Sequence, residues 1–70
     1  MGNSQLGNRI RSFRKLKGYT QQTLAEEMGV SLSVVGSLER GTRKPAESIL
    51  RKIAITLQVD YEELCAITNK

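Results

Sequence analysis

The stretch from Gln21 to Arg40 narrows the folds open to this chain more than any other. It carries Leu24, Ala25, Met28, Gly29, Val30, Val35 and Leu38. Leu24 and Met28 are four residues apart and fall on one face of a helix, and Val35 and Leu38 pair in the same way on a second. Gly29 lies between the two and tolerates the positive φ that a tight turn requires. Ala25 is small, as a residue must be where two helices cross steeply through a turn of about three or four residues. A glycine after a short amphipathic run is a weak signal by itself. All seven positions fitting one scheme is a specific one.

The rest of the chain punctuates in the same manner. Gly18, Gly29, Gly41 and Pro45 divide it into short helical stretches. Leu6, Ile10 and Phe13 give the first stretch an apolar stripe that ends near Gly18. Thr20 is expected to N-cap the second helix, with no capping box because Thr23 rather than Glu or Gln follows at the third helical position. Ser31 is the expected N-cap of the third helix, which Gly41 closes. Pro45 fits the first position of a fourth helix that buries Ile49, Leu50, Ile53, Ala54 and Leu57. Asp60 with Glu63 resembles an acidic capping box for a short fifth helix bearing Leu64 and Ile67. The β-branched residues never alternate for long, so strands are not expected. The expectation is an all-α, compact five-helix domain spanning 1–70, with its core over about 5–67.

Charge is unevenly distributed. The net charge is +4 over 70 residues, and the isoelectric point is near 9.6. Residues 1–17 hold Arg9, Arg11, Arg14, Lys15 and Lys17 without an acid, and residues 18–39 hold Glu26, Glu27 and Glu39 without a base. Residues 40–52 are again basic, with Arg40, Arg43, Lys44, Arg51 and Lys52 against Glu47. A basic small domain suggests a polyanionic partner. On the first helix, Arg9, Arg11 and Lys15 read as a solvated basic face. No apolar run approaches the roughly 20 residues that span a bilayer, and the polar start Met1-Gly2-Asn3-Ser4-Gln5 is not expected to be a secretory leader.

Several classes are disfavoured by what the chain lacks. It has no histidine and one cysteine, Cys65, so neither an internal disulfide nor a zinc site is expected. No nucleophile–base pair and no glycine-rich phosphate loop is present, so neither catalysis nor a cofactor is expected. Glu26-Glu27 and Glu62-Glu63 are neighbours on helices whose side chains diverge, which rules them out as a carboxylate dyad. Cys65 reads as a small apolar residue at a helix surface or an interface.

Residues 5 to 67 resemble the lambda-repressor/Cro-like helix-turn-helix family, also called the XRE family. The resemblance rests on Ile10-Arg11, Arg14, Lys17-Gly18-Tyr19-Thr20-Gln21, Leu24-Ala25, Met28-Gly29-Val30-Ser31, Leu38-Glu39-Arg40-Gly41, Lys44-Pro45, Ile53-Ala54, Leu57 and Val59. It implies a DNA-binding protein whose third helix, Ser31 to Glu39, enters the major groove. The implied contacts are Thr20, Gln21 and Gln22 at the start of the second helix, and Leu32, Ser33, Val34, Gly36 and Ser37 on the reading helix. Arg40, Thr42, Arg43 and Lys44 complete the set in the loop beyond. Gln21 resembles the family glutamine that touches backbone phosphate, and Arg14 and Glu39 resemble a pair that ties the first helix to the end of the third. Tyr61, Cys65 and Ile67 are candidates for a dimer interface on the fifth helix, with a place in the monomer core as the alternative.

The reading face departs from the family's habit. Many relatives carry Gln, Asn, Arg or Lys there, which bond base edges bidentately, whereas serine discriminates weakly and Leu32 or Val34 can only pack on a thymine methyl. Gly36 costs about 0.5–1 kcal/mol inside a helix relative to alanine. It is either a tolerated weakness or a means of close approach to the groove floor. Modest direct readout is expected, with Arg40, Arg43 or DNA shape adding specificity. The resemblance therefore implies a cytoplasmic, homodimeric transcriptional regulator, a repressor in the first instance, on a pseudo-palindromic operator in double-stranded DNA. The alternative on the same fold is a protein-interaction module with weak DNA readout, acting through a regulatory protein partner.

Overall fold

The computed structural model describes the backbone of residues 2–66 and the side chains from Gln5 to Ala66. Over that range the chain forms α1 (Gly2–Leu16), α2 (Gln21–Met28), α3 (Leu32–Arg40), α4 (Glu47–Leu57) and α5 (Tyr61–Leu64), with no strand among the described residues. α3 packs on α1 and α2, α2 also packs on α4, and α5 closes the far end against α1 and α4, which touch each other. One core takes Leu6 and Ile10 from α1, Leu24, Ala25 and Met28 from α2, Val35 and Leu38 from α3, four residues from α4 and Leu64 from α5. Ile49 is only half-buried, so α4 turns Leu50, Ile53, Ala54 and Leu57 inward.

Local chemistry explains the joints. Gly29 adopts φ 73° and Gly41 φ 80°, each donating its N–H to the preceding turn as a left-handed helix closure. Ser31 accepts the Val34 N–H at 3.3 Å, as an N-cap should. Thr20 accepts the Thr23 N–H at 3.0 Å, and the Thr23 hydroxyl accepts the Thr20 N–H at 2.9 Å. That is a reciprocal capping box after all, because a threonine oxygen at the third position reaches back as a longer carboxylate would.

Two other caps differ from expectation. α4 starts at Glu47 with Ala46 as N-cap, since Leu50 donates to the Ala46 carbonyl at 3.1 Å. Pro45 therefore stiffens the approach to α4 and is not its first residue. Asp60 stands at the N-cap of α5 but makes no capping bond. It is exposed, so water competes for the same N–H groups. Ile67 lies outside the described residues.

Arg9 does not belong to a solvated face. Its Nε donates to the Leu64 carbonyl at 3.1 Å and its Nη2 to the Glu63 carbonyl, while the guanidinium lies 5.5 Å from the Phe13 ring centroid. A cation there suits the carbonyl end of α5 and anchors that one-turn helix to α1.

Two contacts fix α1 against α3. Gly7 is buried where the helices meet, and a Cβ there would stand 2.4 Å from the Glu39 carbonyl oxygen and 2.6 Å from that of Leu38. Beside it, Arg14 forms a two-pronged ion pair with Glu39, Nε to Oε2 at 2.6 Å and Nη2 to Oε1 at 3.1 Å. The third guanidinium nitrogen donates to the Tyr19 carbonyl at 2.9 Å, and the Gln21 amide donates to Glu39 Oε1 at 3.1 Å. Both charges are buried. Such a pair adds little net stability over an apolar substitute, but either member is costly to leave alone.

These contacts make two tests in chemical denaturation. Gly7→Ala should lose about 1–3 kcal/mol, because backbone must move to admit the methyl. An unchanged or raised midpoint would refute the close approach. Glu39→Ala should lose about 3–5 kcal/mol by stranding Arg14, and Arg14→Met combined with Glu39→Ala should be more stable than Glu39→Ala alone. A double variant no better than the single would show that the stranded charge is not the cause.

Candidate nucleic-acid interface

α3 is packed on one side and open on the other. Val35, Leu38 and Glu39 point inward, and Val34 is half-buried against the core. Ser33 is exposed, Ser37 is half-exposed, and Leu32 keeps 49% of its surface at the start of the helix. The Ser33 hydroxyl lies 3.3 Å from that of Ser31. From Leu32 to Ser37 the outward residues are thus themselves uncharged, and the one acid of the helix, Glu39, is turned inward and paired with Arg14.

Gly36 is the exception among the expected contacts. It is buried beneath the Arg40 side chain, whose Nη1 would lie 3.1 Å from a Cβ built at position 36. The glycine therefore opens no gap toward solvent, because a guanidinium roofs it.

Basic groups gather at the far end of the strip. Arg40, Arg43 and Lys44 are exposed at the end of α3 and in the loop beyond. Thr42 holds that loop to the helix, its N–H donating to the Ser37 carbonyl at 3.1 Å and its hydroxyl to the same oxygen at 3.3 Å. A hollow of about 430 Å³ is lined by Asn8, Arg11, Gln21, Glu39, Arg40 and Thr42. The two basic stretches of the sequence, separated there by an acidic one, meet at this hollow through Arg11 and Arg40. Neither joins the ion pairs among the described residues, which are Arg14–Glu39 and Arg51–Glu47.

The start of α2 borders the same region. Thr20 is occupied with capping, and Gln22 is exposed and bonded to Glu26 at 3.4 Å. Gln21 gives one amide hydrogen to Glu39 and keeps the second. It serves the buried network first, a role that the linear sequence did not suggest. Among the described residues no three potential ligands come together to hold a metal ion. No helix among them is long and apolar enough to cross a membrane.

Tyr61 and Cys65 lie apart from this face and are both half-buried. Arg51 bonds Glu47 at 2.9 Å and lies 4.1 Å from the Tyr61 ring centroid. Partial burial pushes the Tyr61 phenol above its ordinary range and the neighbouring Cys65 thiol adds to it, with Arg51 pulling the other way. A hollow beside them is lined by Arg51, Ala54, Ile55, Val59, Asp60 and Tyr61, and Ile55 is 77% exposed at its edge.

The chain is similar to known regulators along most of its length. The HTH_3 helix-turn-helix family model matches residues 10–64. The chain is 48% identical over 58 residues to the uncharacterized HTH-type transcriptional regulator YazB of Bacillus subtilis, covering 83% of this chain and 84% of that protein. It is 38% identical over 60 residues to the HTH-type transcriptional regulator SinR of the same organism, covering 84% of this chain but only 54% of SinR. Among solved structures, the restriction-modification controller protein C.AhdI of Aeromonas hydrophila superposes with a TM-score of 0.85 at 37% identity, covering 89% of this chain and 94% of that one. The N-terminal DNA binding domain of SinR superposes at 0.83 and 34% identity, covering 96% and 99%. The chain belongs to the HTH_3 helix-turn-helix family, the XRE-type DNA-binding transcriptional regulators, and not to an enzyme family.

Proposed function

We propose that this chain regulates transcription as a cytoplasmic homodimer, laying α3 in the major groove of each half of a pseudo-palindromic operator and acting in the first instance as a repressor. The observation that carries this reading is the uncharged, outward strip of α3 bordered by Arg40, Arg43, Lys44 and Arg11. Cations gathered at the end of the strip suit a phosphate backbone, and the neutral face of Leu32, Ser33 and Ser37 suits the groove floor. Ser33 and Ser37 would meet base edges and Leu32 a thymine methyl, a weak code that leaves DNA shape to contribute.

The α4–α5 face is where this reading places the dimer contact. Ile55, Val59 and Tyr61 form an apolar floor with Arg51 and Asp60, of opposite charge, on its rim. A two-fold axis brings such a rim against its complement. Tyr61 and Cys65 would lie in that interface, and half-sites about 34 Å apart would match two reading helices. The exposed Leu32 favours the second reading, a module that docks a regulatory protein partner.

Selection of bound fragments from random duplex DNA at about 150 mM salt separates the two readings. Recovery of a two-fold-symmetric site is expected. A folded protein that enriches nothing would favour the protein-binding module. On the recovered site, Ser37→Glu should abolish binding while circular dichroism stays unchanged, and undiminished affinity would remove α3 from the groove. Ile55→Asp should convert a dimer to a monomer in sedimentation equilibrium. A wild-type chain that stays monomeric at every concentration, with and without the site, would rule out the homodimer.

A further inference from the structure

Gly36 and Arg40 form a unit that the docking reading does not require. Arg40 is one helical turn beyond Gly36, so its side chain can fold back along the same face of α3. It does so closely enough to bury the glycine. A Cβ at position 36 would lie 3.1 Å from Arg40 Nη1 and 3.9 Å from Cζ. The first distance is tighter than most real Cβ contacts, so a side chain at position 36 makes the guanidinium give by a few tenths of an ångström. Arg40 lines the same hollow that Arg11 lines from α1, and among the described residues neither arginine joins an ion pair. Two unpaired guanidinium groups on one hollow, whose only carboxylate is already held by Arg14, make a place for an anion.

We propose that Gly36 is a positioning residue: it seats the Arg40 guanidinium against the recognition helix, beside Arg11, where the two take one phosphate of the DNA backbone. This rests on the docking of α3 and assigns a specific task to a glycine that helix propensity alone disfavours. With a side chain at position 36 the guanidinium stands off from this close seat, and holding it on a phosphate then costs more conformational entropy. Glycine at 36 thus exchanges helix propensity for a preorganised cation.

The two effects of a methyl at this position have opposite signs, which makes the inference testable before any operator is known. The probe is a fluorescently labelled random-sequence duplex of about 30 base pairs, titrated by anisotropy between about 50 and 200 mM salt. Gly36→Ala should keep or raise the thermal midpoint, because alanine is the better helix former and only the far end of the Arg40 side chain must shift. It should nonetheless bind DNA roughly tenfold more weakly at about 50 mM salt and flatten the salt slope by about one unit, as loss of one phosphate contact requires. Arg40→Ala should do the same, and Gly36→Ala should add nothing in the Arg40→Ala background. Gly36→Ala binding as tightly as the wild type would overturn the inference. So would a loss that persists in full in the Arg40→Ala background, since the methyl would then act on DNA directly. A wild-type protein that binds the duplex at no salt concentration would fail earlier, at the docking reading, and take this inference with it.

Discussion

The buried Arg14–Glu39 pair is the contact on which the geometry of the binding face depends. Glu39 lies in the last turn of α3, and Arg14 belongs to the helix that lies across it. Through the same two side chains the network gathers the Tyr19 carbonyl and the Gln21 amide, so the exit of α1, the start of α2 and the end of α3 share one polar knot. Among the described residues no buried side-chain polar atom is left without a partner. A satisfied polar knot inside an apolar core contributes orientation more than free energy. Gly7 lets the knot form, because the α1 backbone must come close to the Leu38 and Glu39 carbonyls before Arg14 can span the remaining gap.

Much of the fold was legible because its signals are local. Gly29 and Gly41 need only their own φ, and Thr20 and Ser31 need only the N–H three residues on. The inward residues of α2 to α4 follow from a period of 3.6 applied to short windows. What escaped depends on partners distant in sequence or on rotamers. Gly7 looks like an unremarkable helix glycine until α3 is laid against it. Arg9 looks like surface charge until the carbonyls at the end of α5, more than 50 residues away, are brought to its guanidinium. Thr23 was discounted because the capping template names longer side chains, although a hydroxyl at that position has the reach.

The candidate site divides along the same line. The outward strip of α3 and the basic loop were readable from spacing and charge. The occupation of Gln21 by Glu39 and of Gly36 by Arg40 was not, because both are choices among side-chain rotamers set by neighbours. Helix periodicity placed Gly36 on the outward side, and by position it is there. Its burial comes from a side chain one turn later, and pattern analysis treats each residue as if its neighbours stood straight out.

A weak reading face and strong flanks set the energetics of the proposed complex. A bidentate side-chain contact discriminates by about 1–3 kcal/mol per base pair, and a single serine hydroxyl falls short of that geometry. Phosphate contacts raise affinity for all sequences alike and are attenuated by salt. One such domain would therefore hold DNA without choosing well among sites. Specific binding typically exceeds non-specific binding by about 4–10 kcal/mol, a margin that two serines and a leucine cannot supply in one half-site. Pairing two domains doubles whatever discrimination each half-site gives, and it adds a spacing requirement that single domains cannot impose. The scarcity of base-bonding side chains on α3 is thus the strongest physical reason to look for a second copy at the α4–α5 face, where an apolar floor with oppositely charged rims is already in place.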